Sequence, residues 1–289
     1  MQGYLQDSLY LLKSIFMKGG VILVQELYIK DCNLRKIADS GQCFRMKQLD
    51  SGVFVIPSAD RFAWGTQEGD DTIISFEDDA SYWKEYFDFG TDYNQLCQTF
   101  KSLTPEFPFI QKAVDFSKGL RLLKQDPFET FISFIISQRK NITAISSCVE
   151  ELSQLWGTQV YDGFYAFPTV EQFYENVWQD VLSLGYRNEY VRQAALRVHS
   201  GFSLDNLRDK GHDQAKAELC SFYGVGNKIA DCTLLYGLGY TNAFPIDVWV
   251  KRILDDDLQG RFSPDSIPDN RGVLQLMMFY YKRYKSQDD

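Results

Sequence analysis

The apolar residues of this 289-residue chain follow two different periods, and the change between them falls near Asp115. Before that point, short segments rich in β-branched and aromatic residues are separated by turn residues such as Gly69 and Asp70. This pattern is typical of an antiparallel meander. The segments that fit it best are 21–27, 51–56, 62–67 and 72–76. After Asp115 the period is helical, so we predict an α+β protein with an N-terminal antiparallel β-sheet domain (1–115) and a helical body (116–289).

A strong helix start lies at Asp126, where an Asp suited to the N-cap precedes Pro127 at the first helical position. Glu129 stands where the reciprocal partner of a capping box belongs. The apolar residues that follow share one helix face: Phe128, Phe131, Ile132, Ile135 and Ile136. Further helices are predicted over 144–155, 170–183, 188–200, 213–222, 227–238 and 271–285.

Composition disfavours several classes of protein. The six cysteines are scattered without a Cys-x-x-Cys pair, and only His199 and His212 could add imidazole ligands. We therefore expect reduced, mostly buried thiols and no metal site, rather than a disulfide framework. No apolar run reaches the roughly 18 residues of a membrane span, and the N-terminus lacks the basic leading region of a secretory signal. These features predict a cytoplasmic protein that does not contact membranes.

The formal charge of −9 argues against nucleic-acid binding only at first sight. Residues 1–100 contain nine Lys and Arg against 15 Asp and Glu, whereas residues 184–252 contain nine against seven. The acidic half need not face a polyanion. The net charge therefore leaves a DNA partner open.

Two glycines separated by one residue, Gly224-Val225-Gly226, join two predicted helices. Glycines at this spacing let backbone amides point outward at the start of the second helix, where they can bind a phosphate without side-chain charge. A Gly-x-Gly turn alone is more often a plain helix connector. Because Lys228 follows at a fixed offset, the segment resembles the helix-hairpin-helix motif of DNA-repair proteins (about 213–239). Tyr223 occupies the position where that motif commonly has Pro.

Glycosylases with this motif carry an essential Asp in a Gly/Pro-rich loop after the hairpin, and Asp247 within 244–248 matches that loop. The resemblance implies that the Lys228 amine attacks the sugar C1′ and that the Asp247 carboxylate assists the amine and stabilises the cationic transition state. The resulting Schiff base permits β-elimination and strand nicking. Taken individually, Lys228 fits a solvated lysine of a first helical turn, and Asp247 fits an N-cap of a helix over 248–254.

Further segments narrow the resemblance to the 8-oxoguanine DNA glycosylases, and it covers most of the chain from about residue 37. The segment Ser-Gly-Gln-Cys-Phe-Arg over 40–45 resembles that family's signature, whose glycine, here Gly41, presents a carbonyl to the N7–H that 8-oxoguanine has and guanine lacks. On the C-terminal helix (about 271–285), Gln275 and Phe279 match the residues that bond the base edge and stack on its ring. Cys232 matches the cysteine on the other face of the base. Helical periodicity alone would place Phe279 and Cys232 in the core.

Tyr186 and Arg187 match the family's Leu-Gly-Tyr-Arg loop, which implies that Tyr186 wedges into the gap left by the flipped base and that Arg187 contacts the estranged cytosine. Arg139 and Ala144 stand where eukaryotic members have an Asn that fills the stack and an Arg that reads cytosine. The loop 137–139 is closer to that of bacterial members, so we predict a bacterial origin and a relaxed preference for the opposite base. Trp249 replaces a His that often contacts a phosphate.

The resemblance thus implies a monomeric base-excision repair enzyme that removes 8-oxoguanine from duplex DNA and then acts as an abasic-site lyase. Its only predicted macromolecular partner is double-stranded DNA that contains the lesion. The chemistry requires no cofactor, although the resemblance implies that the hairpin carbonyls can hold a monovalent cation.

Two alternatives remain open at the level of the sequence. Monofunctional alkylated-purine glycosylases share this fold but generally lack a lysine at the position of Lys228 and do not nick DNA. A non-catalytic helix-hairpin-helix protein would use the hairpin only as a phosphate clamp and would need none of the pocket residues. An iron–sulfur glycosylase of the endonuclease III type is disfavoured because no cysteine follows Cys232.

Overall fold

The computed structural model describes residues 12–17, 20–179 and 184–288. The strands are β1 (Leu12–Met17), β2 (Gly20–Ile29), β3 (Lys47–Gln48), β4 (Phe54–Ser58), β5 (Arg61–Glu68), β6 (Asp71–Phe76), β7 (Gln159–Tyr161) and β8 (Phe164–Tyr165). The helices are α1 (Leu34–Asp39), α2 (Ala80–Tyr86), α3 (Tyr93–Leu103), α4 (Pro108–Phe116), α5 (Pro127–Ile136), α6 (Ile142–Trp156), α7 (Val170–Asn176), α8 (Arg187–His199), α9 (His212–Cys220), α10 (Asn227–Tyr236), α11 (Val248–Arg252) and α12 (Arg271–Asp288). The predicted α+β architecture is confirmed.

The N-terminal sheet is antiparallel and has the strand order β1-β2-β6-β5-β4-β3. Four of its strands coincide with the predicted segments, and the turn between β5 and β6 contains Gly69 at a φ of +64°. Leu27 of β2 pairs with Ile74 of β6 in the ladder, and both side chains are buried. One face of the sheet therefore contributes directly to the core.

Helix α5 begins as predicted, because the Asp126 carboxylate accepts a hydrogen bond from the Glu129 backbone N–H at 2.8 Å. The expected capping box is wrong, however. The Glu129 carboxylate pairs with Arg45 at 3.2 Å instead of returning to the cap. Arg45 is almost fully buried and requires a counter-charge. Pairing Glu129 with Arg45 therefore contributes more stability than a hydrogen bond from the backbone N–H of the N-cap to Glu129 would.

Four short helices, α1 to α4, precede residue 117 and were not predicted. Three of them begin at side-chain N-caps, in which Asn33, Asp79 and Asp92 each accept a backbone N–H. The predicted helix over 170–183 ends earlier, since α7 stops at Asn176, and residues 180–183 lie outside the described residues.

One continuous cluster of buried apolar side chains extends from the sheet into the helical body. Helix α5 lies at its centre and packs against α6, α8 and α10. Helix α12 packs against α4, so the C-terminal helix is held on elements from the first half of the chain. No described helix has both the length and the apolar character needed to cross a bilayer.

Candidate active site and DNA-binding surface

The turn between α9 and α10 has the geometry that its two glycines predict. Gly224 adopts a φ of +78°, and Gly226 is the N-cap of α10 with extended backbone. A Cβ on Gly224 would lie 2.3 Å from Cγ of Tyr190, whereas a Cβ on Gly226 would meet nothing within 4 Å. The first glycine is thus required by packing, and the second leaves the start of α10 open to an anion. Val225 between them is buried.

Lys228 is the second residue of α10, and its half-buried side chain returns toward the end of α5. Its Nζ lies 3.3 Å from Oγ of Ser137 and 4.7 Å from the centroid of the Phe134 ring. The Ser137 hydroxyl donates to the Phe134 carbonyl at 2.7 Å, so its oxygen is the acceptor for the amine. The alternative of a freely solvated lysine is therefore wrong.

Asp247 is the N-cap of α11 and accepts a hydrogen bond from the Val250 N–H at 2.8 Å. The capping alternative is confirmed, but it uses Oδ1 only, so Oδ2 is left out of the cap. No ion pair joins Asp247 to Lys228 within the described ranges. The two groups nevertheless act on the same neighbour, the Cys232 thiol. Burial raises the pKa of this thiol to about 12; the charge of Asp247 adds to the increase, and the charge of Lys228 opposes it. The amine, the carboxylate and the thiol therefore share one electrostatic environment.

Gly41 of the signature segment lies against the C-terminal helix α12. It adopts a φ of +78°, and an added Cβ would lie 2.8 Å from Cδ1 of Ile142, 3.4 Å from Cε1 of Phe279 and 3.7 Å from a terminal nitrogen of Arg283. The fold thus brings together two of the predicted pocket residues from opposite ends of the chain. Phe279 is half-buried, and Arg283 packs over its ring at 5.6 Å from the centroid.

Gln275 lies one turn before Phe279 on α12 and is only 4% exposed. Its Oε1 has no hydrogen-bond partner in the described protein. An unsatisfied buried amide oxygen costs roughly 1–3 kcal/mol, so it is expected where a ligand supplies the missing donor. Cys232, one turn after Lys228 on α10, is also buried.

The remaining side chains of the signature segment fasten it to the helical body. The Gln42 amide donates to the Arg121 carbonyl at 2.9 Å and accepts from the Leu123 N–H at 2.7 Å. Phe44 meets the Phe134 ring edge to face, with centroids 5.4 Å apart. The ring beneath Lys228 is therefore supported by the same segment that presents Gly41.

Of the other predicted DNA contacts, Tyr186 and Arg139 lie on segments that contact the hairpin through Tyr190 and Gln138. Tyr186 is 47% exposed at the start of α8, and Arg139 is exposed after α5 with a φ of +53°. Arg187 is buried, and its guanidinium donates to the carbonyls of Gln138 and Leu184. In this structure it does not extend toward solvent. Trp249 is half-buried on α11 beneath the Arg252 guanidinium.

Three residues at this site had no role in the sequence interpretation: Phe134, Ser137 and Arg283. Arg283 could have been found, because it follows Phe279 by one helical turn on the same face. Phe134 and Ser137 contact Lys228 only through the packing of α5 against α10, which no local pattern encodes.

The sequence matches the family model described as 8-oxoguanine DNA glycosylase, N-terminal domain, over residues 25–131. The probable N-glycosylase/DNA lyase of Methanothermobacter thermautotrophicus is 32% identical over 173 residues, which cover 51% of this chain and 55% of that protein. The chain spans about half the length of the curated relatives that it matches.

Two solved structures are similar over nearly the whole chain. One is described as MBOgg1 in complex with a low affinity DNA ligand, with a TM-score of 0.82 and 32% identity over 96% of this chain and 99% of that one. The other is Clostridium acetobutylicum 8-oxoguanine glycosylase/lyase in complex with double-stranded DNA containing cytosine opposite 8-oxoguanine. It has a TM-score of 0.80 and 28% identity over 91% of this chain and 96% of that one. These matches include both the sheet and the helical body.

Proposed function

This chain belongs to the 8-oxoguanine DNA glycosylase family, and from that membership we propose that it excises 8-oxoguanine from duplex DNA and then cleaves the strand at the abasic site. The observation that carries the proposal is the approach of Gly41 to Phe279, where an added Cβ would lie 3.4 Å from the ring, together with the unpartnered Oε1 of Gln275 one turn earlier on α12. A flat base can stack on the Phe279 ring, and its edge offers a donor to Oε1 of Gln275.

Lys228 is the proposed nucleophile. As its unprotonated amine forms a bond to C1′, the bond from C1′ to the base breaks, and the departing base takes a proton from the ammonium that has formed. Breaking of the C1′–O4′ bond, with transfer of the remaining nitrogen proton to O4′, then gives a Schiff base. Removal of a C2′ proton then expels the 3′ phosphate and nicks the strand. Ser137 and the Phe134 ring hold the amine at the start of α10, beside the phosphate-binding hairpin.

Asp247 is the proposed electrostatic partner of this reaction. Its Oδ1 is fixed by the Val250 N–H, which orients Oδ2 without a contribution from substrate. A preorganised negative charge stabilises the oxocarbenium character that develops at C1′ and assists removal of the ammonium proton. Asp247 and Lys228 need not form an ion pair in the free protein for this role, because the sugar would lie between them.

The pocket discriminates by hydrogen-bond polarity. The Gly41 carbonyl accepts the N7–H of 8-oxoguanine, whereas guanine presents an acceptor at N7 and is repelled. Gln275 bonds the Watson–Crick edge, while Phe279 and Cys232 cover the two faces of the ring. The Cys232 thiol is protonated at neutral pH, since burial raises its pKa to about 12, and so offers an uncharged surface.

The grip on DNA is proposed to come from Gly224, Val225 and Gly226, whose backbone faces a phosphate at the start of α10. Tyr186 enters the duplex where the base leaves, and Arg139 and Trp249 supply further contacts to the DNA. A monovalent cation at the hairpin, a monomeric state and a cytoplasmic location stay predictions. The partner is duplex DNA that contains the lesion.

The proposal is tested by single-turnover incubation with duplexes that hold 8-oxoguanine, with strand nicking and borohydride trapping as readouts. Wild type is expected to nick and to become covalently attached, and Lys228→Gln to do neither. Lys101→Gln is the matched control, because Lys101 on α3 forms an ion pair with Asp115 on α4 and, in the described part of the chain, contacts none of the proposed site residues. Trapping of the Lys228→Gln variant would contradict the nucleophile. Excision of methylated purines without trapping would instead identify an alkylated-base glycosylase.

A further inference from the structure

Gln138 connects two DNA-facing segments that are distant in sequence. Its side-chain Nε2 donates to the carbonyl of Gly224 in the hairpin at 3.3 Å and to the Ile135 carbonyl at 3.2 Å, so both amide hydrogens are used. Its own main-chain carbonyl accepts Nε of Arg187 at 2.7 Å and a second bond from the same guanidinium. One residue thus touches the hairpin with its side chain and the turn that carries Tyr186 with its backbone.

Arg187 connects Gln138 to Tyr186, the residue proposed to enter the duplex as a wedge. Its guanidinium also donates to the Leu184 carbonyl at 3.1 Å and lies 4.6 Å from the centroid of the Tyr186 ring. The side chain is buried, so these bonds lie in a low-dielectric environment where charge-assisted hydrogen bonds are strong. The position of Tyr186 therefore depends on where the Gln138 carbonyl stands.

Tyr190 supplies a second, apolar connection between the same two segments. Its ring lies 5.6 Å from that of Tyr186 and 5.1 Å from that of Tyr223, edge to face in both cases. It also occupies the space in which a side chain on Gly224 would stand. The hairpin and the wedge are thus in contact through packed rings as well as through hydrogen bonds.

We propose that Gln138 is a positioning residue that couples the phosphate-binding hairpin to the Tyr186 wedge, so that the hairpin's grip on the backbone sets the depth at which Tyr186 enters the duplex. The proposal rests on the function proposed above. Packed and hydrogen-bonded contacts transmit small displacements because protein interiors deform little. Gln138 touches neither substrate nor reacting atoms in this scheme and acts through Arg187 and Gly224.

The test compares Gln138→Ala and Gln138→Glu with wild type. The Glu variant keeps the size of the side chain but cannot donate to Gly224. Gln154→Ala is the matched control, because Gln154 is an exposed residue of α6 with one side-chain hydrogen bond, to Glu150. Three quantities are measured: the single-turnover rate of 8-oxoguanine release, the rate of nicking at a preformed abasic site, and amide hydrogen exchange in the DNA-free protein.

Both Gln138 variants are expected to release the base about tenfold more slowly, within the ~10²-fold loss that a 1 Å misplacement can cause. Nicking at the abasic site should change less than about twofold, since no base must be extruded there. Exchange of the Arg187 and Asn188 amides, which are hydrogen-bonded within the turn, should accelerate several-fold. A merely structural role would slow both reactions together.

The outcomes separate this inference from the proposed function. Wild-type protein that releases no 8-oxoguanine would overturn the function, while faster exchange of the two amides in the variants would still support the coupling. Unchanged release and unchanged exchange in Gln138→Glu would overturn the coupling, even in a fully active enzyme.

Discussion

The main chain of Gly41 stands so close to the ring of Phe279 that a methyl group added to Gly41 would already contact it, at 3.4 Å. The first residue belongs to the segment that follows α1, and the second to the last helix of the chain. The proposed lesion pocket therefore forms only when the segment after α1 and the last helix have packed against each other.

Gly41→Ala is expected to reduce 8-oxoguanine excision by at least about tenfold, because a non-glycine residue at a φ of +78° costs on the order of 1–3 kcal/mol and its methyl group enters the pocket. Gly52→Ala is the control, since Gly52 has a φ of +88° but nothing within 4 Å of an added Cβ. Both variants carry the strain of a non-glycine residue at positive φ, and Gly41→Ala adds a 2.8 Å approach to Cδ1 of Ile142, so it should lose more stability in urea. Only Gly41→Ala should lose single-turnover excision under conditions where both variants are folded. Equal excision by the two variants would exclude Gly41 from the pocket.

The opposite base is expected to have little influence on the reaction. A bidentate side-chain contact to a base discriminates by about 1–3 kcal/mol, and neither Arg139 nor Ala144 matches the residues that provide it in eukaryotic relatives. Excision rates opposite the four bases should lie within about tenfold of one another. Introducing Arg139→Asn together with Ala144→Arg should raise the rate opposite cytosine relative to the others. A strong cytosine preference in wild type would refute the role given to these positions.

The ion pair between Arg45 and Glu129 joins the signature segment to α5, and its side chains are 2% and 13% exposed. Removing one partner leaves a buried charge, so Glu129→Gln is expected to lower the free energy of unfolding by about 3–5 kcal/mol. Replacing both partners, by Arg45→Met and Glu129→Leu, should cost clearly less. Urea denaturation measures both effects. A double variant that loses the sum of what Arg45→Met and Glu129→Leu lose separately would show that the charges are not coupled.

Cys232 makes stability depend on pH in the alkaline range. Burial raises the pKa of its thiol from 9.0 to about 12. Since the folded state holds this proton more tightly than the unfolded state, the stabilisation is fully present below pH 9 and is lost as the pH rises toward 12. The free energy of unfolding of wild type should thus fall more steeply above pH 9 than that of Cys232→Ala. Parallel slopes in the two proteins would show that the thiol titrates normally.

Local sequence patterns correctly predicted the elements whose ends are marked by capping residues, proline or glycine. Asp126 and Pro127 mark the start of α5, and Gly224 and Gly226 mark the hairpin, because each position requires a particular backbone geometry. The helices α1 and α2 were missed, since six and seven residues carry too few turns for a clear period. Glu129 was assigned to a cap because only its neighbours in sequence were considered, whereas its partner Arg45 is brought to it by tertiary packing.

The candidate site was likewise predicted only where a motif identifies the residue, and not where contacts depend on tertiary packing. The resemblance placed Lys228, Asp247, Gly41, Gln275 and Phe279 by their motifs, and the structure brings Gly41 to Phe279 and relates Lys228 and Asp247 through Cys232. The resemblance could not show that the Gln138 carbonyl already accepts hydrogen bonds from Arg187, or that Ser137 accepts one from the Lys228 amine. Those contacts join residues from separate helices, so they depend on how α5 meets α8 and α10.

The carboxylate of Asp247 also holds the first turn of α11. A side chain that stabilises a helix cannot change rotamer without fraying it, so the negative charge stays fixed while the DNA changes shape around it. In the proposed reaction, the extruded sugar must therefore be delivered to the charge. An Asn at this position could keep the N-cap hydrogen bond and remove the charge. The role of Asp247 in the fold and its proposed role in the reaction can thus be separated by changing one atom.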